Sequence, residues 1–322
     1  MIELIASLCN AFGPPGFETE IRQVILEQLG LGTTGWSDDA LGNLYVTESG
    51  RSNVKLLVAA AMDEPGFFIT SHGPDGQLHF APIGRLPLQQ IHGCLARMKN
   101  GIRGMFVRSG EQWLIDIGAK NREEAEQRVP VGTVGAFGMS AQILTEDGRR
   151  IIGKALTRSL IAALIEVMQD SNPPTHWVGA FLAQQEPSGR GARVVGEHWQ
   201  PARIVSLECI DCTSEEGASL QLGGGPVLVM RAAHFCSDPR WSAKVVTLAE
   251  KDGIPIQRFA GDLELPMSER LQLSGHGAAV ASLAIPVRYL DRSWQMIDLE
   301  DVRLLARWLK SICSVNPEEF YR

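Results

Sequence analysis

The chain has 322 residues, 44% of them hydrophobic, with 30 basic against 37 acidic side chains and a net charge of −7. That length suits about two domains with a sizeable core, and the absence of a Lys/Arg block excludes nucleic acid or an anionic membrane as the main partner. Met1 to Ile5 lacks a basic region, and the longest apolar run, Leu56 to Met62, is too short to span a bilayer, so a cytoplasmic protein is expected.

In chain order, Ile2, Ile5, Leu8, Cys9 and Phe12 fall at helical spacing, and Ile21, Val24, Ile25 and Leu29 repeat the pattern after a Gly-Pro-Pro-Gly turn. Leu41 to Val46 and Val54 to Ala61 read as strands, the second apolar enough to be buried on both faces. From Gly66 to Gly148 short alternating runs such as Gln77–Phe80, Gly104–Val107 and Trp113–Asp116 are separated by glycine turns, as in a small β-barrel. A helix is predicted over Leu160–Met168, strands over Trp177–Ala183, Ile204–Leu207 and Ala284–Tyr289, and helices over Trp241–Lys251 and Leu299–Ile312. Strands alternating with helices imply a sheet covered on both faces. The expected architecture is an α/β fold with three αβα layers, residues 1–65 and 151–322, and an inserted barrel domain at 66–150.

Six scattered cysteines fit reduced thiols better than a disulfide scaffold. Cys209 and Cys212 form a C-x-x-C pair, but a structural zinc needs two more ligands and only His234 with Cys236 offers a loose pair. Gly223-Gly224-Gly225-Pro226 precedes a strand and lacks a following Gly-Lys, so it reads as a turn and not as a phosphate loop.

Several ordered motifs carry a resemblance. Gln184-Gln185-Glu186-Pro187-Ser188-Gly189-Arg190-Gly191-Ala192, directly after the apolar run ending at Ala183, resembles the QEExGxRGA motif of the tetrahedral aminopeptidases, dinuclear zinc enzymes also known as glutamyl aminopeptidases or endoglucanase-like proteins. Asn10 to Gly13 with Gly16 to Glu18 is similar to NAFGxxGFE, Asp39 with Leu41 to Leu44 to DxLGNL, and Met62 to Phe67 to HMDExGF after its first position. Ile115 to Ala119 matches IDIGA, Gly153 to Leu156 opens GKALDxR, and Ile285 to Tyr289 opens IPxRYxHS. The resemblance spans almost the whole chain and implies a zinc-aminopeptidase-like fold. The segment between Phe106 and Trp113 is shorter than the family usually has.

The same motifs imply where the family's chemistry would sit, and most of those positions have changed. The general-base Glu is Gln185, an amide with no basic oxygen. The zinc-ligand His is Ala61 and the bridging Asp is Thr157, while Glu186 is retained, a ligand Asp becomes Glu208, and the second ligand His becomes Asp291. Asp63, implied as a residue that orients the lost His, has no imidazole to orient. The remaining carboxylates, Glu186, Glu208 and Asp291, suit at most a weakly held divalent cation. Of the seven histidines, His234 and His276 rank first as displaced ligands, ahead of His72, His79, His92, His176 and His198. Ser159 or Thr157 as a nucleophile would need a base that no pattern supplies.

The reading is therefore an aminopeptidase-like pseudoenzyme, or a peptide-binding or assembly protein, that associates with itself as a dimer up to a dodecamer. The alternative is a metal-dependent aminopeptidase or amidohydrolase working with a single or non-standard metal on Glu186, Glu208 and Asp291, with Gln185 orienting substrate. Glycoside hydrolysis by Glu186 and Glu208 is a third class, requiring one raised pKa and a defined carboxyl separation. Arg158, beside the lost bridging residue, is expected either to bond Glu186, Glu208 or Asp291 in place of the metal charge or to point to solvent.

Overall fold

A computed structural model describes residues 1–32, 34–47, 54–86, 88–171 and 177–315. His176 lies outside them. Helices α1 (Ile2–Asn10) and α2 (Thr19–Gln28) open the chain, followed by the short strands β1 (Trp36–Asp38) and β2 (Leu44–Val46) and by β3 (Leu56–Ala61). β3 is shorter at its start than the apolar pattern predicted.

The chain then leaves the C-terminal end of β3 for the barrel. Strands β4 (Gly66–His72), β5 (Leu78–Ile83), β6 (Leu95–Met98), β7 (Arg103–Ser109) and β8 (Gln112–Asp116), helix α3 (Arg122–Arg128) and β9 (Val134–Phe137) follow. The six strands close in the order β4-β5-β8-β7-β6-β9, all antiparallel. Phe67, Phe80 and Phe106 fill the interior edge to face, with centroids 5.3–5.5 Å apart. Asn121 caps α3 by accepting from the Glu124 amide.

β10 (Gln142–Ile143) and β11 (Arg150–Gly153) lie outside the barrel. After them come α4 (Ser159–Ser171), β12 (Trp177–Leu182), α5 (Arg190–His198), β13 (Arg203–Asp211), β14 (Val227–Arg231), α6 (Pro239–Lys251), β15 (Gln257–Ala260), α7 (Pro266–Leu273), β16 (Ala279–Val287), β17 (Gln295–Asp298) and α8 (Leu299–Cys313). β10, β11 and β17 form a small antiparallel sheet. The large sheet has eight strands in the order β1-β2-β12-β3-β13-β16-β14-β15, and its four central strands β12, β3, β13 and β16 are parallel.

The period-two alternation of these strands divides the core. Leu56, Val58 and Ala60 of β3 join a cluster with Ile5, Ile161, Trp241 and Leu305 from α1, α4, α6 and α8, whereas Leu57 and Ala59 join one with Val195 of α5 and Leu271 of α7. A sheet clothed by helices on both faces therefore carries the cleft at the C-terminal edge of its parallel strands, and the barrel rises from that same edge. Among the described residues no helix is long and apolar enough to cross a membrane.

Candidate functional site

The parallel strands end side by side. Leu182 pairs with Ala61 in register, and the Met62 amide donates to the Leu182 carbonyl at 2.8 Å. Beyond these ends lies a cavity of about 170 Å³ lined by Ala61, Thr157, Gln185, Glu186, Glu208 and Asp291, together with Asp63. The sequence-predicted positions thus meet in one place, except Arg158. None of the described histidines lines it, His234 and His276 included.

The backbone around the cavity is held in unusual conformations. Ala155, Gln184, Ser188 and Tyr289 have φ of 49°, 53°, 67° and 63°, and each sits within three residues of a substituted or retained ligand position. Such left-handed residues cost of order 1–3 kcal/mol each and persist only where the surroundings impose them. Ser188 occupies the glycine of the QEExGxRGA pattern, so the turn has kept a glycine-like shape without the glycine.

The 183–191 turn is fastened from below. Buried Asn43 accepts from the Ala183 amide at 2.8 Å and donates to the Gly191 carbonyl at 2.9 Å. A Cβ on Gly191 would lie 2.7 Å from Gln185 Nε2 and closer still to the Ala183 carbonyl, which explains glycine there. Gln185 Nε2 donates to that carbonyl at 2.9 Å, fixing the amide so that Oε1 is the free end. Asp63 Oδ2 accepts from the Glu186 amide at 2.8 Å. Burial, then the neighbouring Glu186 charge, push the Asp63 carboxyl well above its ordinary value. Asp63 thus helps to hold the turn.

The two glutamates are served by elements the sequence did not mark. Glu186 Oε2 accepts from the Arg85 amide at 3.1 Å, in the loop after β5. Gly84 has φ 75°, and a Cβ there would lie 2.6 Å from Glu186 Oε2, so glycine lets the barrel loop reach the turn. Burial raises the Glu186 pKa, opposed by the Arg85 amide and charge and reinforced by Asp291. Glu208 Oε1 accepts from the Ser268 amide at 3.1 Å and the Ser268 hydroxyl at 2.6 Å, and burial pushes its pKa up to about 7. Helix α7, which brings Ser268, was not predicted, although Pro266 followed by Met267 and Leu271 at i, i+4 was a usable signal. Nothing in the sequence marked Arg85, whose role depends on how the barrel sits over the cleft.

The two expectations for Arg158 are both corrected. Its guanidinium touches none of Glu186, Glu208 or Asp291 and does not reach solvent, since the side chain is fully buried. Nε donates to the Met62 carbonyl at 2.9 Å, and Nη1 to the carbonyls of Leu8 and Ala11 at 3.0 and 2.6 Å. Nη1 also lies 3.5 Å from Glu64, which receives Lys154 Nζ at 2.8 and 3.1 Å. The carbonyls of Leu8 and Ala11, at the end of α1, lack helical partners and are strong acceptors for a buried cation. Arg158 thus ties the first helix to the sheet.

This donor set does not fit a dinuclear zinc centre. A methyl and a hydroxyl stand at Ala61 and Thr157, no described imidazole lines the cavity, and among the described residues no group of three or more His, Cys, Asp or Glu side chains is placed to hold a metal ion. Among the described residues no such group includes Cys209 and Cys212. The glycine run 223–225 is likewise occupied, with Gly223 and Gly225 donating to Asp301 at 2.7 and 2.8 Å.

The raised Glu208 pKa has a defined effect on stability. Its folded value of about 7 exceeds the ordinary 4.5, so the folded chain holds a proton that the unfolded chain has released. The stabilisation is complete below about pH 4.5 and is lost as pH rises through about 7, by up to ~3 kcal/mol. Urea unfolding at about pH 5 and about pH 8 should show lower stability at the higher value, and Glu208→Gln should reduce the difference without abolishing it, since Asp63, Glu186 and Asp301 are raised as well. A parent whose stability rises over that interval with the same slope in the variant contradicts the assignment.

The sequence matches the M42 glutamyl aminopeptidase family over residues 42–105 and 106–307. It is 26% identical to a putative aminopeptidase of Acetivibrio thermocellus, over 97% of this chain and 98% of that one, and 26% identical to the lysyl aminopeptidase of Pyrococcus furiosus, over 99% and 98%. Among solved structures, the TET1 peptidase of Pyrococcus horikoshii, which can assemble into a tetrahedron or a large octahedral shell, superposes with a TM-score of 0.87 at 24% identity, covering 97% of this chain and 98% of that one.

Proposed function

The chain belongs to the M42 glutamyl aminopeptidase family, and we propose that within it this protein is a pseudoenzyme, a binding protein that has kept the cleft and given up dinuclear zinc hydrolysis. One observation carries the reading: Ala61, Thr157, Gln185 and Asp291 all line a cleft whose strained turns are intact, yet the donors present do not make a metal site. A scaffold maintained at a cost in backbone strain, without the ligands that strain would serve, supports a retained binding role. Six unpaired cysteines fit a reducing compartment, in keeping with a cytoplasmic location.

Self-assembly is part of the same reading, from a dimer up to a tetrahedral dodecamer. The full-length likeness to a peptidase that forms tetrahedra supports it, and closed symmetry is the common outcome for soluble oligomers. A single preparation tests both parts. Elemental analysis should find well under one zinc per chain, aminoacyl p-nitroanilides with added Zn²⁺, Co²⁺ or Mg²⁺ should not be turned over, and light scattering should return an oligomer. Two zincs per chain with hydrolysis would sink the pseudoenzyme, and a monomer at all concentrations the assembly.

A further inference from the structure

The barrel holds a second and larger cavity. It measures about 370 Å³ against about 170 Å³ for the cleft, within the range of roughly 300–1,000 Å³ usual for small-molecule sites. Ser71 and His72 at the end of β4, His79 of β5, Arg122 and Glu126 of α3, and Val131 line it. None of these lines the cleft. Pro65 does, and β4 then runs from Gly66 to His72, so at a rise of ~3.3 Å per residue His72 lies about 20 Å farther along the strand.

His72 is the fixed wall of this cavity. It is only 7% exposed, and its Nε2 donates to the Val129 carbonyl at the end of α3, at 2.7 Å. A carbonyl can only accept, so Nε2 carries the proton and Nδ1 is the acceptor of the neutral ring. Nδ1 bonds no described residue and is not among the unpaired atoms sealed from solvent. Arg122 and Glu126 stand one helical turn apart, a spacing at which opposite charges commonly pair. On the same helix Glu124 and Arg128, four residues apart as well, do pair at 3.3 Å. Arg122 and Glu126 instead bond neither each other nor any other described residue, and the side chains of Ser71 and His79 are equally unpartnered. A metal ion does not account for the cavity, because among the described residues no three His, Cys, Asp or Glu side chains are placed to hold one.

We propose that this barrel cavity binds a free α-amino acid with an apolar side chain, as its zwitterion. Arg122 takes the carboxylate, which matches the planar guanidinium fork. Glu126 and His72 Nδ1 accept hydrogen bonds from the ammonium group, and Val131, 57% exposed, offers apolar surface to the side chain. A lone anion would satisfy Arg122 and be repelled by Glu126, and a lone amine would meet the reverse. A zwitterion pairs both charges at once. The site is separate from the cleft and does not rest on the pseudoenzyme reading.

Isothermal titration calorimetry on the full chain tests this with leucine, isovalerate and isoamylamine. Leucine should bind saturably below about 10 mM. Isovalerate, which lacks the ammonium group, and isoamylamine, which lacks the carboxylate, should each bind at least about tenfold more weakly. Arg122→Gln and Glu126→Gln change exposed side chains and should each weaken leucine by at least about tenfold, with thermal unfolding recorded to show that both are folded. Glu186→Gln, a change confined to the cleft, should bind leucine like the parent. The proposal is overturned if leucine gives no saturable binding up to about 10 mM, or if isovalerate or isoamylamine binds as tightly as leucine. It is equally overturned if either folded barrel variant binds like the parent, or if Glu186→Gln abolishes binding and so places the ligand in the cleft.

Discussion

Arg158→Met lowers the unfolding free energy by about 3–5 kcal/mol, the range for breaking a buried charged network by removing one partner. The guanidinium is fully buried and serves the carbonyls of Leu8, Ala11 and Met62 while lying 3.5 Å from Glu64. Methionine fills much of the volume but donates nothing. Three carbonyls then face the core without a donor, and Glu64 is left to Lys154 and the Gly13 amide alone. Arg158→Lys should recover less than half of the loss, since one ammonium on a flexible stem cannot reproduce a planar fork that serves α1 and the end of β3 together. Urea unfolding followed by circular dichroism measures both. A loss under about 1 kcal/mol, the scale of an ordinary surface change, would show that the guanidinium does not hold α1.

The error over Arg158 shows what one sequence can and cannot convey. The ordered motifs located the segment, and the segment is where the resemblance implied, beside the cleft. Residues 156–158 form a 3₁₀ turn, in which neighbours point about 120° apart. Thr157 therefore faces the cavity while Arg158 turns into the protein, towards carbonyls nearly 150 positions away in the chain. Local sequence specifies charge and element but not side-chain direction. The strands were legible for the opposite reason, because burial on both faces of β3 and β12 leaves a near-continuous apolar run that is a property of the sequence itself. Ser268 and Arg85 had no such signal. Their contacts with Glu208 and Glu186 exist only once α7 packs beside β13 and the barrel loop folds over the cleft.

Gln185→Glu alone should restore no aminopeptidase turnover, even though it returns the residue type that the family motif places there. A general base acts on an activated water, and no group of three or more described His, Cys, Asp or Glu side chains is placed to hold a metal there. Residues that act as a unit fail and recover together, so the smallest repair is Ala61→His, Thr157→Asp, Gln185→Glu and Asp291→His in one chain. Arg158 stays as it is, because it anchors α1 and takes no part in the cleft. The strained backbone at Ala155, Gln184, Ser188 and Tyr289 already presents three of these four positions, and the fourth ends β3 in register with β12. The fourfold variant should therefore bind zinc and hydrolyse an aminoacyl p-nitroanilide at least about 10²-fold above the parent. Adding Arg85→Gln should tighten zinc further, because that guanidinium's field reaches both Glu186 and Glu208 and repels a metal cation there. Zinc content and initial rates across the series measure this. Turnover from Gln185→Glu alone would mean the parent had held a working metal and would overturn the pseudoenzyme. A folded fourfold variant that binds no zinc would mean that the turns have kept their strain but not the convergence a metal needs.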